Sequence, residues 1–299
     1  MTTHVAQTPL LDLAYETHGP SDGPPVVLLH GFPDDACAWE AVAAPLAAAG
    51  YRTIAPYLRG FGPTRFRDAA TIRSGQNAAL AQDVLDLADL LGLGRFTLIG
   101  HDWGAQAAQA VAALQPARVQ HLVSFSPYSL TWDDYQEGPP NYPQLQALWY
   151  QQVLQSELGE QLLAYDRQGF CRYLWATWSP SWQLAAATFA DAAVSFDNPD
   201  FVAVVLHAYR SGYGQAELDP RYNASEAQLA QRPPISVPTT VLLGEDDGIN
   251  LFQPAMLAQQ RDFTGAYTAR AYPGVGHFIH REQPAAVVAA IMRTDAPGG

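Results

Sequence analysis

Positive charge is in short supply in this chain. Its 16 Lys and Arg side chains stand against 29 Asp and Glu, a formal charge of −13. Such a surface repels nucleic-acid phosphates and anionic lipid headgroups, so neither nucleic acid nor a membrane is expected as a partner. A small, largely neutral organic molecule fits that charge better than an anion. Cysteine is nearly absent: Cys37 and Cys171 lie far apart without metal-type spacing, and the expectation is two buried thiols. No apolar run reaches the ~18 residues of a membrane span. Met1 to Leu10 also lacks the positive region and apolar stretch of a secretory signal, so a cytoplasmic protein is expected. Apolar residues themselves are plentiful, at 48% of 299, which supports a large core and argues against disorder. That length suits one large α/β domain with an insertion, and self-association into a homo-oligomer is compatible with it.

The first third alternates strand and helix signals. Val26 to Leu29 is a continuous apolar run between Pro25 and Gly31, as a parallel strand buried on both faces requires. Further strands are expected over Tyr51 to Ala55, Phe96 to Ile99 and Val119 to Phe125. Leu80, Val84, Leu87 and Leu91 have helical spacing, with Asp83, Asp86 and Asp89 expected on a solvated acidic side. Ala105 to Leu114 reads as a buried, Ala-rich helix. From about residue 130 to 232 the chain turns rich in Trp, Tyr, Gln and Pro, with helical patches and no strong strand. The strand–helix rhythm resumes with Thr239 to Leu243, a helix near Pro254 to Arg261, a strand near Tyr267 to Ala271 and a helix from Pro284. The expected architecture is α/β, a mostly parallel sheet with helices on both faces. Residues 1–129 and 233–299 would form its core, and 130–232 a helical insertion.

Gly100–His101–Asp102–Trp103–Gly104 falls between an expected strand and an expected helix, the context of a nucleophile elbow. The flanking glycines leave room for a strained turn between closely packed elements. Its central residue is Asp. With a reference pKa of about 3.9, a carboxylate is ionised at neutral pH and needs no base to attack a saturated carbon. Asp102 could equally cap the following helix, and the motif alone does not separate the two roles.

Its partners do. Gly274–Val275–Gly276–His277–Phe278 offers His277 as a base near the C-terminus. Gly244–Glu245–Asp246–Asp247–Gly248 places carboxylates at the end of an expected strand, where catalytic groups of open α/β sheets gather. Asp247 is the choice for orienting acid, with Asp246 as the alternative and Asp133 or Asp134 behind them. The order nucleophile, acid, histidine is that of the hydrolase elbow fold. His4, His18 and His121 have no motif around them, His280 lacks the glycine-rich loop, and His101 is expected to pack within the elbow. His30–Gly31–Phe32–Pro33 is either an ordinary turn or one that aims the Phe32 N–H beside that of Trp103 as an oxyanion hole.

Taken together, HGFP at His30 to Pro33, RGFGPT at Arg59 to Thr64, GHDWGA at Gly100 to Ala105, GEDD at Gly244 to Asp247 and GVGHF at Gly274 to Phe278 resemble the α/β-hydrolase superfamily, specifically its epoxide hydrolase branch. The resemblance covers nearly the whole chain. It implies an inserted helical cap, a covalent aspartyl ester on Asp102, and hydrolysis of an epoxide to a vicinal diol without metal or organic cofactor. Tyr150 and Tyr209 look like the two cap tyrosines that donate to the ring oxygen. Substrate contacts are expected from Phe32, Trp103, Trp149 and Trp178. The cap departs from the family around Leu154 to Glu157, where a Pro-Gly turn would be commoner. Dehalogenases use the same triad on a carbon–halogen bond. However, Phe32 stands where haloalkane dehalogenases often carry Asn, and Trp103 where fluoroacetate dehalogenases carry Arg. The alternative of another class is a non-catalytic small-molecule-binding protein on the same fold.

Overall fold

The structure, a computed structural model, describes residues 2–130, 141–183 and 186–292. Its strands are β1 (Thr2–Gln7), β2 (Leu11–His18), β3 (Pro25–Leu29), β4 (Arg52–Pro56), β5 (Arg65–Phe66), β6 (Phe96–Gly100), β7 (Val119–Ser124), β8 (Thr239–Gly244) and β9 (Tyr267–Tyr272). They form one sheet in the order β1-β2-β4-β3-β6-β7-β8-β9, with β5 against β2. Pairing is parallel from β4 through β9 and antiparallel where β1, β2, β4 and β5 meet. The apolar runs thus became the central parallel strands. The antiparallel edge of β1 and β2 left no such run, because β1 is mostly exposed.

Period-two alternation splits the core in two. Val27 and Leu29 of β3 face one side, with Leu98 and Leu122 and the helices α2 (Asn77–Leu90) and α3 (Trp103–Leu114). Val26 and Leu28 face the other, with Ile99, Val123 and the helices α1 (Glu40–Ala48), α10 (Ile279–Glu282) and α11 (Pro284–Met292). Each such fully buried side chain contributes about 1.5–3 kcal/mol. In α3 the buried alanines let helix and sheet approach closely while keeping the strongest helix propensity.

Two expectations are corrected here. Asp83 is not on a solvated face: it is buried and takes a forked pair of 2.7 Å hydrogen bonds from the buried Arg59. Position 83 lies three residues from Leu80 and four from Leu87, on the stripe that meets the core, and the guanidinium neutralises it there. Asp89 is exposed, as expected, and pairs with Arg118 at 2.7 Å. The second correction concerns Cys37, an exposed thiol; Cys171 is buried and both are free. Asp35 caps a short 3-10 turn over Ala36–Trp39 that turns Ala36, Ala38 and Trp39 inward and leaves Cys37 facing out.

Between β7 and β8 the described residues carry helices α4 (Tyr142–Ala147), α5 (Trp149–Leu154), α6 (Glu157–Trp178), α7 (Ala186–Ala193), α8 (Phe201–Gly212) and α9 (Asn223–Leu229). The α5–α6 turn, which lacks a Pro-Gly pair, is made by Ser156, whose hydroxyl caps α6 by accepting from the Gly159 N–H. The helix expected near Pro254 is a tighter 3-10 run over Pro254–Asp262. Asp133 and Asp134 lie outside the described residues. Among the described residues no helix is long and apolar enough to cross a membrane.

Candidate active site

Asp102 sits between β6 and α3 with φ 51° and ψ −119°, a conformation that side-chain-bearing residues rarely adopt. Its neighbours permit it. A Cβ on Gly100 would overlap the Gly104 backbone, and one on Gly104 would overlap the Leu29 and His30 carbonyls. A Cβ on Gly31 would run into Asp102 itself. The carboxylate makes no capping bond to α3. Instead its Oδ1 accepts a 2.9 Å hydrogen bond from the Phe32 N–H, so the HGFP turn does aim an amide at the elbow.

The other oxygen, Oδ2, lies 3.7 Å from His277 Nε2, beyond hydrogen-bond length. On its far side the imidazole holds Asp247 Oδ2 through Nδ1 at 2.9 Å. Of the two adjacent carboxylates, Asp247 is buried and Asp246 is exposed. Asp247 also accepts from the N–H groups of Ile249 (2.9 Å) and Asn250 (3.0 Å) and from the Asn250 side chain (2.7 Å). Burial opposes its ionisation, but His277 and these donors hold its carboxyl below the ordinary range. Burial likewise opposes charge on His277, but the carboxylates of Asp247 and Asp102 outweigh it and push the imidazole up to about 10. The placement of the ring between Asp247 and Asp102 thus favours the imidazolium over the neutral imidazole.

A cavity of about 220 Å³ opens over these groups, lined by Asp102, Trp103, His277, Tyr150 and Tyr209 among others. Tyr150 comes from α5 and Tyr209 from α8, both buried, with rings edge to face at 5.6 Å. Tyr209 hydrogen-bonds Tyr150 and the Trp103 side chain. Burial, with Tyr150 and Asp102 nearby, keeps its hydroxyl protonated well above the ordinary range. Phe32, Trp149 and Trp178 are not among the cavity-lining residues. Phe32 stacks behind Trp103 at 5.4 Å, Trp149 packs against Phe170 and Tyr173, and Trp178 lies edge-on to His277 at 5.1 Å.

Several positioning contacts were not anticipated from the sequence. The Trp178 carbonyl, at the end of α6, accepts from both Gly248 N–H (3.0 Å) and His277 N–H (3.1 Å). Ser179 Oγ also accepts from His277 N–H at 2.8 Å and donates to Glu282 at 2.7 Å, while Glu282 accepts from Gly276 N–H at 2.9 Å. The only trace in the sequence is a pair of glycines. A Cβ on Gly248 would overlap the Thr177 carbonyl, and one on Gly276 would overlap Ser179. His101 donates through Nε2 to the His277 carbonyl at 3.1 Å. His280 instead bonds the buried Asp34 at 3.2 Å, and Arg281 forks onto the same carboxylate at 2.6 and 2.9 Å. That cluster anchors the turn carrying Phe32.

A strained elbow after β6, an acid after β8 and a histidine after β9 are arranged as in hydrolases of the α/β class. The chain belongs to the α/β-hydrolase fold family, whose model matches residues 24–284. Several relatives within it are named for one activity. "Epoxide hydrolase" of Caballeronia sordidicola is 26% identical over 91% of this chain and 87% of its own length. "Epoxide hydrolase 2" of Siraitia grosvenorii is 42% identical, but over 36% of this chain and only 34% of that protein. A crystal structure from Klebsiella pneumoniae, designated provisionally as an epoxide hydrolase, matches with a TM-score of 0.94 and 40% identity over 98% of this chain and 97% of that one. A haloalkane dehalogenase of Mycobacterium marinum is 39% identical over 39% of this chain and 38% of its own length.

Proposed function

We propose that this protein is an epoxide hydrolase that works through an ester on Asp102, with residues 130–232 as a cap over the site. The observation that carries the reading is the pair of buried tyrosines, Tyr150 and Tyr209, sharing one cavity with the nucleophile. A carboxylate alone can displace many leaving groups. Two protonated phenols beside it suit a leaving group that stays in the molecule as a strongly basic alkoxide. A halide needs no proton, and the Trp103 indole that would serve a halide is engaged with Tyr209.

In the first step Asp102 Oδ2 attacks a ring carbon from the side opposite the C–O bond. That bond breaks, and a tyrosine proton passes to the ring oxygen. In the second step water attacks the ester carbonyl carbon while His277 takes one of its protons. The N–H of Phe32, already bonded to Oδ1, and that of Trp103 hold the oxyanion. Collapse expels the diol oxygen, which receives the proton from His277. The remaining water proton leaves the restored carboxyl and returns to His277, which restores the resting imidazolium beside the Asp102 carboxylate. The charge balance supports this order. Esterification removes the negative charge of Asp102 from beside His277, so the imidazolium loses one of its two stabilising neighbours, gives its proton to the tyrosine phenolate left by the first step, and becomes a competent base only once there is an ester to hydrolyse. Among the described lining residues only Asp102 and His277 carry charge, which supports a neutral substrate.

The test is to replace His277 with Gln, incubate the protein with panels of epoxides and organohalides, and weigh it. An epoxide adds its whole mass, whereas a haloalkane adds its mass less the hydrogen halide. Adducts from organohalides but from no epoxide would overturn the reading in favour of a dehalogenase. No adduct from either would favour a binding protein.

A further inference from the structure

Tyr150 has an amide partner that the triad and the tyrosine pair do not account for. Gln151 is buried and lines the same cavity. Its Nε2 donates to Tyr150 Oη at 3.2 Å, and its Oε1 accepts from Tyr213 Oη at 2.7 Å. Tyr213, which follows directly on α8, also lines the cavity. The groups facing Tyr213 include the side chain of Gln152, whose hydrogen bond favours the phenolate and so counters the upward push of burial. The Tyr213 oxygen accepts that bond, which leaves its proton for Gln151.

Direction is what matters in this chain. A phenol has one proton to donate and two lone pairs to accept with, whereas a carboxamide nitrogen can only donate. A Gln151 N–H on Tyr150 therefore occupies a lone pair and cannot consume the phenolic proton. A flipped amide would present Oε1 to Tyr150 and take that proton. The Tyr213 hydroxyl, donating to Oε1, opposes the flip. As the proton leaves Tyr150, the accepted hydrogen bond strengthens, because its acceptor is becoming an anion.

On the basis of the function proposed above, we infer that Gln151, oriented by Tyr213, is a positioning residue that aims the Tyr150 proton at the epoxide oxygen and steadies the phenolate left behind. No proton leaves Gln151. The proton moves from Tyr150 Oη to the ring oxygen as the C–O bond breaks, and the Gln151 bond only shortens.

The relay should act on ester formation and not on ester hydrolysis, a split that a loosened helix would not produce. Rapid quenching with intact-mass detection, at saturating epoxide, reads both steps in one experiment. Gln151→Leu should slow ester formation about 10- to 100-fold while hydrolysis of the formed ester stays within about twofold. Gln151→Glu keeps the shape but can only accept when ionised, so it should be slower than Leu in the first step. Tyr213→Phe should give a smaller loss in the same step. Equal slowing of both steps, or a Glu variant faster than the Leu variant, overturns the relay. So does normal ester formation in Gln151→Leu, which leaves the proposed reaction standing. Absence of any ester in His277→Gln overturns the proposed reaction and the relay with it.

Discussion

The two halves of the site are held in different ways. Asp102, Asp247 and His277 stand on turns at the ends of strands; backbone N–H groups fix the two carboxylates, Phe32 on the first, Ile249 and Asn250 on the second, and Asp247 in turn holds the His277 ring. Tyr150 and Tyr209 stand on separate helices and meet through side chains alone, with each other, Gln151 and Trp103. Backbone-held groups belong to the sheet and are as rigid as it is. Side-chain-held groups can be re-aimed by one substitution. On the proposed mechanism, the covalent chemistry would be built into the core and the choice of leaving group into the helices above it.

Three experiments test that division. The largest effect is expected at His277. His277→Gln should lower turnover by at least about 10³-fold, since a general base supplies roughly 10²–10⁴, while the ester on Asp102 accumulates to near one equivalent by intact mass. A variant that turns over without accumulating ester would dissolve the distinction, because the core would then not own the second step. Next come the tyrosines. Tyr150→Phe and Tyr209→Phe should each slow ester formation by about 10²-fold, and the double variant more than either, with hydrolysis of preformed ester nearly untouched. Burst kinetics separate the two rates, and equal losses in both would place the tyrosines in the same unit as the triad.

The smallest effect is on stability. His277 titrates near 10 in the fold and about 6.5 unfolded. Its raised value adds stability that is fully present below pH about 6.5 and is lost as pH rises through 10. The Tm gap between the native chain and His277→Gln should therefore be flat at acid pH and narrow above neutrality, by roughly 2–4 °C for each kcal/mol lost. A gap that widens with pH would contradict the imidazolium sandwiched between two carboxylates.

What could be read from the sequence follows the same line. The central strands were visible as apolar runs because both their faces are buried, and the elbow was visible because its close approaches demand Gly31, Gly100 and Gly104. The choice between Asp246 and Asp247 was not, since adjacent residues differ only in which way each points. Asp83 misled because a carboxylate on a helix looks solvated until its partner is known, and Arg59 lies 24 residues away in sequence. Tyr150 and Tyr209 were reached only by family resemblance, as nothing local distinguishes them from other tyrosines of the insertion. Phe32, Trp149 and Trp178 were expected as substrate contacts along with the family resemblance; none of them is among the residues that line the cavity. Ser179 and Glu282 had no local signature, because each makes its contact with the His277 loop only in three dimensions, and Gln151, although next to Tyr150, is one glutamine among many in the insertion.

The double acceptance at the Trp178 carbonyl has a further consequence, for modularity. One peptide group at the end of α6 ties down both the loop after β8 and the loop after β9. The helical segment is therefore not an interchangeable lid. A chimera that swapped residues 141–232 for a foreign segment would also have to supply a carbonyl where Trp178 has one and a hydroxyl where Ser179 has one. Otherwise the acid and base loops would lose their shared anchor, and a graft intended to change what enters the cavity would disarm the machinery beneath it. A join placed after Ser179 rather than before it keeps that anchor with its host.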